Sequence, residues 1–168
     1  MRLGLVCALL LLANPARADG ITDQLDDYIS SKKNYNQVKR DVLEWHGTTR
    51  NGCVAFVSTA LRNIGVDIPL RGKRDGWGVS RITFALRDYL QQEHGWTKMT
   101  DVAELVPGDI VFTDGYPDHV FVFHSWRNER KLIALVTDNQ GFAIRRPMQP
   151  KAGSEIAGFA YALRPPTP

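Results

Sequence analysis

Apolar residues in this chain recur with a helical period as far as Glu93 and with a strand period from Pro107 onward. A helix places every third or fourth side chain on one face, whereas a strand alternates faces at every residue. In residues 21–33 the positions Ile21, Leu25, Tyr28 and Ile29 share a helical face, and residues 36–45 repeat the pattern with Val38, Val42, Leu43 and Trp45. The run CVAFVSTALRNIG then sets Cys53, Phe56, Val57, Ala60, Leu61 and Ile64 on one stripe that stops at Gly65, with Asn51 as its expected cap. Ser80 to Glu93 forms a further amphipathic segment carrying Ile82, Leu86, Tyr89 and Leu90. Beyond Pro107, five short segments rich in branched and aromatic residues are separated by turn residues: GDIVFTD, HVFVFHSW, KLIALVTD, GFAIRRP and AGFAYAL. Helices first and strands second predict an α+β domain, with the N-terminal helices packed on a roughly five-stranded antiparallel sheet. The tail RPPTP is expected to be loose.

The 168 residues suit one core. Residues 1–18 read as an export signal. Met1-Arg2 is a positive start, Leu3 to Ala13 is apolar, and Ala16-Arg17-Ala18 has the small-x-small form of a cleavage site. The apolar run is too short to span a hydrocarbon core of ~30 Å. A domain over residues 19–168 is therefore expected outside the cytoplasm, in the periplasm or secreted, with no membrane anchor after cleavage. Setting aside Arg2 and Arg17 takes the basic residues from 21 to 19 against 18 acidic ones. So even a balance gives no basic face for nucleic acid.

Cys7 falls inside the apolar run and reads as filler, which leaves Cys53 as the lone thiol of the mature chain. A lone thiol forms no internal disulfide and is either a small buried hydrophobe or a reactive group. Cys53 opens a helix, where partial positive charge and unpaired N–H groups favour a thiolate and supply donors to an oxyanion. Gly52 before it is expected to let a substrate backbone come close.

The base must come from His46, His94, His119 or His124. His94 sits at a helix end beside Gly95 and reads as solvated or capping. His119 and His124 fall on opposite faces of one strand, so only one of them can look toward Cys53. His119 opens that strand after the turn Gly115-Tyr116-Pro117-Asp118, the usual station for a reactive side chain, and is the expected base. His124 is expected to be a half-exposed strand residue. A hairpin around Arg127-Asn128-Glu129-Arg130 would return the chain antiparallel and bring Asp138 or Asn139 beside His119 as its orienting partner. Asp-Asn-Gln-Gly also reads as plain turn chemistry.

The blocks NGCVAFVSTALRNIG, PGDIVFTDGYPDHVFVF and LVTDNQG, taken in order, resemble those of the CHAP and NlpC-type papain-like amidases, over about residues 45–141. The resemblance implies a papain-like fold and a thiol hydrolase that cleaves amide bonds of cell-wall peptidoglycan or its stem peptides. It aligns Cys53 with the family nucleophile, His119 with the base and Asp138 with the acidic third member, Asn139 being the nearby alternative. Pro107-Gly108-Asp109 matches a structural turn. The chain departs from the family at Gly52, where NlpC-type enzymes usually carry Asp, and at Val54-Ala55, where Ser-Gly is common. No upstream Gln stands ready for an oxyanion hole, a place that Trp45 or His46 would have to fill. No cofactor is expected, and no metal, because the chain lacks ligand spacings such as CxxC or HExxH.

Trp45, Trp77 and Trp96 are candidates for lining a groove, and Arg71, Lys73 and Arg74 for meeting an anionic wall polymer. Two other functions fit the same residues. One is an inactive wall- or partner-binding module; the other is a secreted acyltransferase or a toxin amidase, for which an inhibitor or immunity protein is conceivable.

Overall fold

A computed structural model describes residues 20–70, 78–115 and 118–167. The expected export signal at 1–18 with Cys7, the candidates Arg71, Lys73, Arg74 and Trp77, and Tyr116-Pro117 of the expected turn lie outside the described residues.

Four helices precede the sheet: α1 (Ile21–Ile29), α2 (Lys32–His46), α3 (Cys53–Asn63) and α4 (Thr83–His94). The strands are β1 (Thr97–Met99), β2 (Ile110–Thr113), β3 (Val120–Trp126), β4 (Ile133–Thr137), β5 (Ile144–Pro147) and β6 (Phe159–Arg164). All pairings are antiparallel, in the order β1-β6-β2-β3-β4-β5. The α+β architecture is as expected, but the open sheet has six strands rather than about five. The extra strand, β1, has two exposed residues in three and so carries no apolar pattern.

Helix boundaries differ too. The first helix ends at Ile29, and Ser31, whose hydroxyl accepts from the Asn34 N–H, caps α2 from Lys32 onward. Serine at a cap competes with continued helix, which is why the pattern breaks there. Leu43 faces solvent, and Tyr35 takes the core position instead. Asn51 does not cap α3. It has φ +54°, and Gly52 holds the cap position without a side-chain bond.

The helix α3 is the centre of the molecule. Every residue from Val54 to Leu61 is buried, Ser58 and Thr59 included, so the helix is enclosed all round rather than along one stripe. It packs with Leu25 and Ile29 of α1, Val38 and Val42 of α2, and Leu86 and Leu90 of α4 against the sheet face bearing Ile110, Phe112, Val120, Val122 and Leu163. Burying a side chain of this size contributes about 1.5–3 kcal/mol. The opposite sheet face carries Val111, Phe121, Phe123, Val136 and Ala162 under Leu105 and Met148.

Pro107-Gly108-Asp109 acts as the structural turn before β2. Asp109 is fully buried, accepts the Val106 N–H at 2.9 Å, and pairs with Arg164 at 2.7 Å. That pair fixes the first residue of the tail at the end of β6, so the tail is ordered through Arg164. Among the described residues no helix is long and apolar enough to cross a membrane.

Candidate active site

Cys53 is the first residue of α3, and the loop that delivers it is tightly folded. The Gly52 N–H bonds the Thr49 carbonyl at 3.3 Å, and a Cβ at Gly52 would stand 3.1 Å from that same oxygen. A side chain here would press on the chain's own loop, which would have to give by a few tenths of an ångström. Gly52 is buried, so the expected role of admitting a substrate backbone does not hold.

His119 lies immediately before β3. By strand alternation it shares a face with Phe121, whose ring centroid is 5.9 Å away, while His124 points to the helix-covered face. Position along the strand, more than its face, decides which histidine meets Cys53. His119 stands level with the start of α3, whereas His124 lies further along and is bound to Asp26 of α1 at 2.5 Å and Thr137 of β4 at 2.7 Å. The histidine chosen from sequence is the one that acts on the sulfur and lowers the thiol.

The hairpin between β3 and β4 pairs Val122 with Thr137 and returns the chain to the start of β3. Asp138 then sits beside His119, its Oδ2 accepting from Nε2 at 2.7 Å. This leaves Nδ1 as the ring nitrogen not engaged by Asp138. Asp138 is fully buried, and its Oδ1 accepts the N–H groups of Gln140 at 2.7 Å and Gly141 at 3.0 Å. Turn chemistry and contact with the histidine thus coexist on one carboxylate. Asn139 turns away from His119 and donates from Nδ2 to the Thr49 carbonyl at 2.8 Å, tying the hairpin to the cysteine loop.

The electrostatics follow from this packing. Burial, the largest single influence, pushes the Cys53 thiol up. The hydrogen bond and charge of His119, with the N–H groups of Val120 and Val54, outweigh it and bring the thiol below its ordinary value. Burial likewise works against the charged form of His119, but the hydrogen bonds and charges of Asp138 and Cys53 raise it to about 9. Each partner thus favours the charged form of the other. The Cys53 N–H, in the first turn of α3, has no backbone acceptor among the described residues and is available to an oxyanion.

A cleft of about 400 Å³ opens on these groups. Cys53 and His119 line it with Asn51, Arg81, Thr83, Asn139, Gln140 and Arg146, and Asp118 and Glu155 stand among its exposed residues. Arg81, Thr83, Gln140 and Arg146 were not singled out by sequence. They lie outside the apolar patterning, and only the fold brings them to Cys53.

The described tryptophan candidates, Trp45 and Trp96, do not line it. Trp96 is 3% exposed and belongs to the core. Trp45 donates from Nε1 to Thr59 at 3.1 Å, and His46 bonds the Thr48 carbonyl at 2.8 Å. Neither supplies an oxyanion donor. His94 is the last residue of α4, but Gly95 holds the C-cap, and the His94 ring instead bonds the Asp67 carbonyl through Nε2 at 2.9 Å. Among the described residues no group of three or more His, Cys, Asp and Glu side chains converges as a cation site.

No family model, no curated protein and no solved structure matches the chain.

Proposed function

We propose that this chain is an exported cysteine amidase of the papain-like type, and that it hydrolyses amide bonds in peptidoglycan or its stem peptides. The observation that carries the reading is the series Cys53–His119–Asp138 at a cleft, with its histidine held at 2.7 Å by a fully buried carboxylate. The class of substrate rests on the likeness of the three sequence blocks to wall amidases and on the export signal.

The Cys53 thiolate adds to the amide carbonyl carbon, forming a C–S bond and an oxyanion that the Cys53 N–H meets. The imidazolium of His119 gives its proton to the amide nitrogen. The C–N bond breaks, the amine leaves, and a thioester remains. Neutral His119 then takes a proton from water as the water oxygen adds to the thioester carbonyl. The C–S bond breaks, which restores the thiolate–imidazolium pair and releases the acid. Asp138 orients the ring and stabilises its cation throughout.

The test is hydrolysis of purified peptidoglycan, followed by mass spectrometry of the released fragments. Wild-type protein releases fragments with a new amine and a new carboxyl end. Cys53→Ala lowers the rate by about 10³–10⁶-fold while its thermal melt stays cooperative. An active Cys53→Ala protein overturns the reading. So does a folded wild-type protein whose thiol resists iodoacetamide until it unfolds, which is the behaviour of an inactive binding module.

A further inference from the structure

Arg146 differs from the other buried or bonded arginines described. Arg164 has Asp109 and Arg87 has Asp88, while Arg62 binds the Thr59 and Ser80 hydroxyls at 2.7 and 2.8 Å. Arg146 lies half-buried on β5, opposite Ala134 of β4, with its guanidinium over the Phe121 ring at 4.9 Å. Its one hydrogen bond is a long one, 3.4 Å from Nη2 to the Ala157 carbonyl. Among the described residues no carboxylate comes within ion-pair distance of it. It nonetheless lines the cleft that holds Cys53 and His119.

Asn139 is the second feature. It is 8% exposed and also lines the cleft. Its amide is fixed in orientation by the bond from Nδ2 to Thr49, and its Oδ1 is buried without a partner. An unpartnered buried acceptor is unfavourable unless a donor reaches it. The cleft therefore holds a guanidinium fork short of an anion and a carbonyl oxygen short of an N–H.

We propose that Arg146 anchors a free carboxylate of the substrate beside the scissile amide, while Asn139 Oδ1 accepts an N–H of the same molecule. This rests on the hydrolase reading above and adds its selectivity: acyl groups with an ionised carboxylate are preferred over their amidated forms. A planar guanidinium meets a carboxylate through two parallel N–H···O bonds, and partial burial strengthens them. Burial, the main influence on Arg146, works against its charged form, and the charges of Asp138 and Cys53 only partly offset this. A bound carboxylate supplies the missing counter-charge. The exposed Asp118 and Glu155 repel polyanions, so a single carboxylate on an otherwise neutral or cationic peptide fits best.

Alkylation of Cys53 tests this without knowledge of the natural substrate. Iodoacetate and iodoacetamide undergo the same reaction, in which the thiolate forms an S–C bond and iodide departs, but only iodoacetate carries a carboxylate. The ratio of the two rates is measured on the full chain and on glutathione as a free thiol. We expect the ratio at Cys53 to exceed that of glutathione by about tenfold, to fall to the glutathione value in Arg146→Gln, and to be partly kept in Arg146→Lys. Succinate should slow iodoacetate labelling of wild type, a readout that stands even if Arg146→Gln fails to fold. A wild-type ratio equal to that of glutathione, a ratio unchanged in a folded Arg146→Gln, or no protection by succinate overturns the carboxylate anchor and leaves the hydrolase reading intact. A thiol inert to both reagents overturns both.

Discussion

His119 Nε2 meets Asp138 Oδ2 at 2.7 Å, and the carboxylate that receives it is entirely shut off from solvent. A buried carboxylate with one oxygen on an imidazole holds that ring in one orientation and favours its cation. Its other oxygen is committed to the Gln140 and Gly141 N–H groups, so the carboxylate itself cannot swing. Asp138→Asn keeps an oxygen for the turn and removes the charge. We expect it to fold, to lower kcat for peptidoglycan hydrolysis by about 10²–10⁴-fold, and to slow iodoacetamide labelling near neutral pH. A variant with wild-type kinetics would show that His119 needs no orienting charge.

The pH dependence separates the two partners. Cys53 lies below its ordinary value, so labelling by iodoacetamide should begin to rise at lower pH than for a free thiol and then level off. Hydrolysis needs more, since His119 must carry a proton to the leaving amine. His119 is raised to about 9, so its cation persists below that pH and is lost as the pH rises through it. Hydrolysis should therefore climb with the thiolate and decline above about pH 9, where labelling stays on its plateau. In His119→Ala the labelling curve should shift toward higher pH and the alkaline decline of hydrolysis should vanish along with most of the rate. A decline of labelling and hydrolysis together would point to unfolding instead.

The change of apolar period was enough to order helices before strands, because buried faces impose their spacing on the residues that fill them. The same logic found Cys53 at a helix start, and the hairpin geometry brought Asp138 to His119. What stayed hidden had no apolar signature. Thr97–Met99 is short and mostly exposed, so β1 looked like loop. Ser30 and Ser31 interrupt what reads as continuous helix. Arg146 follows Arg145 on the edge strand β5, where arginines ordinarily reach solvent, yet its guanidinium lies over Phe121 at the cleft. Trp96 was offered to a groove because large aromatic side chains suit either role, and its core position depends on how β1 and α4 meet. The Asn139 contact with Thr49 spans the sheet and helix layers, and no local spacing announces it.

His124 illustrates a histidine bound into structure rather than chemistry. Its Nδ1 is held by Asp26 at 2.5 Å and its Nε2 by the Thr137 hydroxyl at 2.7 Å, and that hydroxyl also accepts the Ala143 N–H at 3.0 Å. The ring thus joins α1 to β4. His124→Ala removes these bonds together with the contact of Nδ1 to the Ser30 hydroxyl at 3.4 Å, and leaves the fully buried Thr137 one partner short. We expect a loss of about 1–3 kcal/mol in urea denaturation, with hydrolysis of peptidoglycan below the transition reduced no more than a few-fold. Abolished hydrolysis in a folded His124→Ala, beside an active His119→Ala, would assign the base to the other histidine.

Gly108, in the turn before β2, lies against the start of α1. It has φ +85°, its N–H bonds the Phe123 carbonyl at 2.8 Å, and a Cβ there would run into the backbone of Thr22. Neither backbone can yield without shifting α1 or the turn before β2. Gly108→Ala should therefore combine left-handed strain with overpacking, at about 2–4 kcal/mol, and lower Tm by about 5–15 °C. Gly47 provides the control. It has a similar φ of +81°, yet a Cβ there meets nothing within 4 Å. Gly47→Ala should cost only the backbone strain, about 1 kcal/mol. The difference between the two variants in a chemical denaturation series isolates the contact with Thr22. Equal losses would mean that α1 is free to move away from the sheet, and that the helix is held in place chiefly by Leu25, Ile29 and the bond from Asp26 to His124.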